Sequence, residues 1–185
     1  LTYMIAIMSH RMEALFGGLR SVQLTAGGVL FRGAARVSEM FMVSAGQIHL
    51  CRHSVHGSEM VLQRALSGMV VAEASAYSER YHCDAVAATD SIVRALPKSV
   101  FLSALATDPD LAANWAATLA RAVQAARFRS EIRSLPIVAD RLDAWLGEGN
   151  HLPEKGHWQD VANELGVTRE ALYRELALRR KGTAE

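Results

Sequence analysis

The chain has 185 residues, a net charge of +1, 21% charged residues and 50% hydrophobic residues. That balance excludes a disordered chain and permits a sizeable core, in one large domain or two small ones. Two cysteines, Cys51 and Cys83, exclude a disulfide scaffold and suit a reducing cytoplasm, and so small a net charge confines any nucleic-acid surface to a local patch.

The first nine residues are mostly apolar and precede His10 and Arg11. They fall far short of the ~20 residues of a spanning helix and lack a basic leader, so no membrane partner or secretory signal is expected. Met4, Met8 and Met12 recur at the spacing of a buried helical stripe. From Gly27 to Pro97 short apolar runs at 41–43, 48–51, 60–62, 69–72 and 85–88 alternate with turn signals at 26–28, 44–46, 55–58 and 67–68. Such spacing predicts an all-β sandwich or jelly roll.

After Ser99 the period becomes helical. Asp108-Pro109 is a helix start, a carboxylate cap followed by proline at the first helical position. The helix then runs without Gly or Pro from Leu111 to Leu135. Leu111, Trp115, Leu119, Ala122 and Ala126 recur at three and four residues, one apolar stripe. About 25 helical residues reach ~37 Å, more than a small domain uses. The stripe is therefore expected to pack against a partner helix, as a dimerisation seam. Pro136 stops or bends the helix. Ile137, Val138, Leu142, Trp145 and Leu146 form another apolar face, closed by Gly147 and Gly149.

The segment from His157 to Lys181 reads as helix, Gly-containing turn, helix, the form of a DNA-binding helix-turn-helix. Val161, Ala162 and Leu165 face inward, and small Ala162 lets the second helix cross closely. Gly166 supplies the turn, Val167 plugs the angle, and Thr168 caps the second helix. Ala171, Leu172, Leu176 and Leu178 are that helix's apolar positions. Arg169, Glu170 and Arg174 lie near its start, where arginine can grip guanine and glutamate can accept from cytosine. Arg179, Arg180 and Lys181 form a basic end suited to phosphates, and Gln159 on the first helix joins the DNA-contacting set.

In this arrangement the chain resembles the CRP/FNR transcription regulators. The local marks are residues 27–33 (Gly-Gly-Val-Leu-Phe-Arg-Gly), 41–48 (Phe-Met-Val-Ser-Ala-Gly-Gln-Ile), Glu73-Ala74-Ser75, and 167–174 (Val-Thr-Arg-Glu-Ala-Leu-Tyr-Arg). The resemblance implies an α+β protein: an effector-sensing jelly roll over 1–107, a dimerisation helix over 108–135 and a winged-helix-type domain over 136–185. The wing would follow Glu185. It also implies a cytoplasmic homodimer on a palindromic duplex, with RNA polymerase as a further partner.

In relatives that bind cyclic nucleotides, a Gly-Glu pair grips the ribose and an Arg-Ser pair grips the cyclic phosphate. Here Ala72-Glu73 and Cys83-Asp84 occupy those places, and Ala126 and Arg127 fall where an adenine-binding hydroxyl pair would be. A phosphate needs a cation or converging N–H groups, which Cys-Asp does not supply. The expected effector pocket therefore centres on Glu73, Ala74, Ser75, Arg80, Cys83, Asp84, Ala126 and Arg127, with an effector other than cyclic AMP and no assigned cofactor. Arg80 is the one substitute anchor. Two distant cysteines fall short of an iron–sulfur ligand set, and no metal site is expected; redox or metal sensing through Cys83 and Cys51 stays as an alternative. A ligand-binding dimeric sensor without DNA is another. No Walker loop or nucleophile–base motif points to an enzyme.

Overall fold

The computed structural model describes residues 11–53, 59–154 and 158–182. Met4, Met8, the 55–58 turn and His157 lie outside the described residues, as does the side chain of Lys181. The chain divides into two compact units, Leu1–Leu119 and Ala120–Glu185.

Short apolar runs build the strands of the first unit, some alternating in burial and others, such as Glu39–Ala45, buried on both faces. They are β1 (Ser21–Leu24), β2 (Val29–Phe31), β3 (Glu39–Ala45), β4 (Gln47–His53), β5 (Glu59–Leu66), β6 (Val70–Val71), β7 (Asp84–Ala87) and β8 (Ser91–Pro97). In β8, Ser91, Val93 and Ala95 turn inward while Ile92 faces out, the period of two that a half-buried strand requires. These strands form two four-stranded sheets in the orders β1-β8-β3-β6 and β2-β7-β4-β5, with antiparallel neighbours. The result is an eight-stranded antiparallel sandwich followed by helices, α+β overall. A 3-10 helix, Glu73–Tyr77, interrupts the path from β6 to β7, and α1 (Lys98–Thr107) follows β8. Gly46 closes the β3–β4 hairpin at φ +82°, where an added Cβ would stand 2.3 Å from the Asp90 carbonyl oxygen. No other residue fits there.

Helix α2 covers Pro109–Ser134. Asp108 caps it as its sequence implies: Oδ1 accepts from the Asp110 and Leu111 amides, both at 3.0 Å. The apolar stripe of α2 takes a different part from the expected one. Leu111 and Trp115 are buried in the first unit's own core and Leu119 packs against it. Trp115 meets Phe101 edge-on at 4.9 Å, and Phe101 meets Phe16 at 6.2 Å. Burying each of these large side chains stabilises by roughly 1.5–3 kcal/mol. A side chain buried in its own core cannot line a seam, so Leu111 and Trp115 leave the dimerisation set, while Leu119 is only half-buried. Ala122 is half-buried and Ala126 exposed.

The second unit adds α3 (Val138–Gly147), α4 (Trp158–Leu165) and α5 (Arg169–Gly182). Its core gathers Ile132, Leu142, Trp145, Trp158, Val161, Ala162, Leu165, Leu172 and Leu176. Ile137 and Leu178, expected on apolar faces, are 56% and 65% exposed. Ile137 precedes the first turn of α3, and Leu178 falls on the solvent side of α5.

Candidate functional site

The expected effector residues of the first unit lie on the 3-10 helix and on the approach to β7. Ala72, in the glycine place of the resembling pattern, adopts a left-handed conformation at φ 53°, ψ 50°, which costs a residue with a Cβ roughly 1–2 kcal/mol. Glu73 is buried, and its carboxylate oxygens accept from Gln63 Nε2 at 3.2 and 3.1 Å. Ser75 is buried and Ala74 exposed. Arg80 is exposed, and its Nη1 donates to the Ala34 carbonyl at 2.7 Å. Asp84 accepts from the Gly33 amide and from Arg32 Nη1, each at 2.7 Å. The Gly33 amide first, then Arg32, hold its carboxyl below the usual carboxylate range. Asp84 thus fastens β7 to the segment after β2.

Cys83 is buried, and burial pushes its thiol up against the opposing pull of Arg52, so the thiolate that oxidation or metal binding needs is disfavoured. Cys51 is buried too. Among the described residues no group of three or more His, Cys, Asp or Glu side chains could hold a metal ion. Beside Cys83, Tyr81 stacks on Phe31 with ring centres 3.6 Å apart and donates to the Glu39 carbonyl at 2.8 Å. Sequence reading assigned Gln63, Arg32 and Phe31 no part in this site, because their partners Glu73, Asp84 and Tyr81 lie on other elements and only the fold brings them together. Ala126 and Arg127 are exposed and belong to the second unit.

In the second unit α4 and α5 meet through a short turn. Gly166 has φ +65°, and an added Cβ would stand 2.9 Å from Arg133 Cγ. Thr168 Oγ1 accepts from the Ala171 amide at 3.2 Å, which caps α5. The closing carbonyls of α4 are gripped from outside the pair. Arg133 donates to Asn163 and Glu164 at 2.8 and 3.3 Å. Arg141 donates to Leu165 and Gly166, both at 3.1 Å. A helix end leaves four such acceptors without intrahelical donors, and cations suit its dipole. Neither arginine was singled out from sequence, since a lone arginine on a helix reads as solvated.

Arg169, Glu170, Arg174 and Arg180 are exposed along α5, with Thr168 exposed ahead of it. Exposed Gln159 donates to Asn163 Oδ1 at 2.9 Å. Arg179 departs from the expected phosphate set. It donates to Asp143 at 2.6 Å, Glu175 at 2.7 Å and the Ala139 carbonyl at 3.1 Å. Its charge is already matched by two carboxylates, so it fastens α5 to α3.

Residues 21–108 match the cyclic nucleotide-binding domain. Solved structures share the fold. The cyclic di-GMP responsive global regulator CLP of Xanthomonas campestris is 18% identical, with 94% of this chain and 93% of that one covered at a TM-score of 0.70. FixK2 of Bradyrhizobium japonicum is 19% identical over 88% of this chain and 85% of that one, also at 0.70. The catabolite activator protein of Thermus thermophilus is 24% identical over 94% and 84%, at 0.55. No curated protein sequence matches.

Proposed function

We propose that the chain is a sequence-specific DNA-binding transcription regulator of the CRP/FNR type. It is a homodimer and acts in the cytoplasm, with RNA polymerase as a further partner, and it is not an enzyme. The observation that carries this is the α4–turn–α5 pair: a capped, glycine-turned helix presents Arg169, Glu170 and Arg174 to solvent at its start. The same chain holds a cyclic nucleotide-binding-type domain. Arg169 and Arg174 suit guanine acceptors and Glu170 suits cytosine N4, while Thr168, Gln159, Arg180 and Lys181 serve the phosphates.

On α2 the exposed row Ala113, Ala116, Ala120 and Val123 recurs at three and four residues. Small side chains let two helices approach closely, so this row serves the dimer.

The effector is not cyclic AMP. Positions 83 and 84 offer a cyclic phosphate a buried thiol and a carboxylate, and Arg80 is engaged with Ala34. Redox sensing is the weaker reading, because burial holds Cys83 as thiol.

The test is selection of duplexes from a random pool with the purified chain. The expected product is a palindrome with half-sites ~34 Å apart, bound with an affinity that falls steeply with salt. Equal affinity for selected and random duplexes would sink the proposal. Calorimetry with cyclic AMP should show no saturable heat. Cyclic di-GMP, to which the Xanthomonas neighbour responds, is the second probe.

A further inference from the structure

Two of the exposed arginines lie on aromatic faces. The Arg169 guanidinium carbon is 5.2 Å from the centre of the Tyr173 ring, and its Nη2 donates to the Tyr173 hydroxyl at 3.4 Å. Tyr173 leans on Trp158, with ring centres 4.8 Å apart and planes at 56°. Trp158 is buried, and its indole Nε1 donates to the Pro153 carbonyl at 2.9 Å. Arg180 lies over the other end of this stack, 5.4 Å from the Trp158 ring. A ladder of arginine, ring, ring and arginine therefore joins the first residue of α4 to both halves of α5.

An arginine at the exposed head of a helix explores many rotamers, and binding must order it. A ring beneath the guanidinium removes much of that freedom beforehand. The hydroxyl contact engages Nη2 alone, so the rest of the planar fork keeps its donors for the two acceptors of a guanine. Tyr173 is half-buried against the second unit's core, which gives the platform a fixed position.

We propose that Tyr173 is a positioning residue for base reading. It holds Arg169 in its binding rotamer, with Trp158 as the backing. This rests on α5 being the DNA-reading helix.

The experiment uses the full chain, its selected duplex, and that duplex with the base pair read by Arg169 replaced. Tyr173→Phe keeps the ring and should discriminate as the unaltered chain does. Tyr173→Leu keeps apolar bulk without the ring face and should lose roughly three- to tenfold in discrimination at that base pair and at no other. In an Arg169→Ala background the same leucine should change nothing further. Unchanged discrimination by Tyr173→Leu overturns the proposal, as does an equal loss in the Arg169→Ala background, which would mark general packing. Should the leucine variant melt early, the Arg169 side-chain resonances of the unaltered chain decide. A ring-current shift from Tyr173 supports the ladder, and resonances at unstructured-peptide positions overturn it. A chain that prefers no duplex defeats the DNA-binding reading itself, which a failure confined to Tyr173→Leu does not.

Discussion

Arg179 and Arg180 are adjacent, yet their surroundings give them different work. The Arg179 side chain is 33% exposed and bonded to Asp143, Glu175 and Ala139, whereas Arg180 is exposed over Trp158. Arg179→Ala should therefore lower the melting temperature of the second unit, with a loss of about 1–2 kcal/mol after discounting for solvent. Its salt dependence of DNA binding should stay unchanged. Arg180→Ala gives up its contact with the Trp158 ring, so it should lower the melt less than Arg179→Ala does while making the salt slope shallower by about one contact. Binding isotherms at several salt concentrations, beside thermal melts, separate the two.

Tyr81 carries a pH dependence of known sign. Burial, and then the Glu39 carboxylate, push its hydroxyl from 10.0 up to about 12. Between those values the unfolded chain has released a proton that the folded chain keeps. The Tyr81 contribution is thus complete below pH 10 and disappears as pH rises from 10 towards 12. Tyr81→Phe cannot ionise. It should begin about 1 kcal/mol less stable, having lost the hydrogen bond to Glu39, and then decline less steeply across that window. Urea midpoints measured against pH are the check, and parallel curves would contradict the account.

The α4–α5 pair shows how a turn is set by elements outside it. Arg133 on α2 and Arg141 on α3 cover the last carbonyls of α4, and Trp145 Nε1 donates to Glu164 Oε2 at 2.8 Å. Gly166 fits because its left-handed backbone needs no Cβ and leaves room for the Arg133 stem. Gly166→Ala should cost about 1–2 kcal/mol from the backbone alone. The added contact with Arg133 should raise that cost, and the excess should vanish in an Arg133→Ala background. A thermal double-mutant cycle measures that excess directly; simple additivity would mean that the Arg133 stem moves aside freely.

For the whole molecule the proposed dimer turns on which face of α2 is free. Leu119 packs against the first unit's core, whereas Val123 is 49% exposed. Val123→Lys should shift sedimentation towards monomer while the melt of the isolated protomer stays intact. Leu119→Lys buries a charge against an apolar core and should destabilise folding itself. A Val123→Lys chain that remains fully dimeric at micromolar concentration would place the seam elsewhere.

Local chemistry by itself determined much of this protein. The apolar runs around 41–43, 48–51 and 85–88 and the Asp108 and Thr168 caps are legible because each depends on neighbours a few residues away. Strand β1 was not legible, since it is four short residues that gain their meaning only by pairing with β8. Nor was the 3-10 helix, which begins after an alanine forced into a left-handed conformation. Which face of α2 is buried, whether Arg179 meets phosphate or carboxylate, and what holds Glu73 and Asp84 were decided only in three dimensions. Their partners are Phe101, Asp143, Gln63 and Gly33, each distant in sequence or on another element. A periodic pattern tells a helix that it has an apolar face; only the packed fold supplies the surface which that face meets.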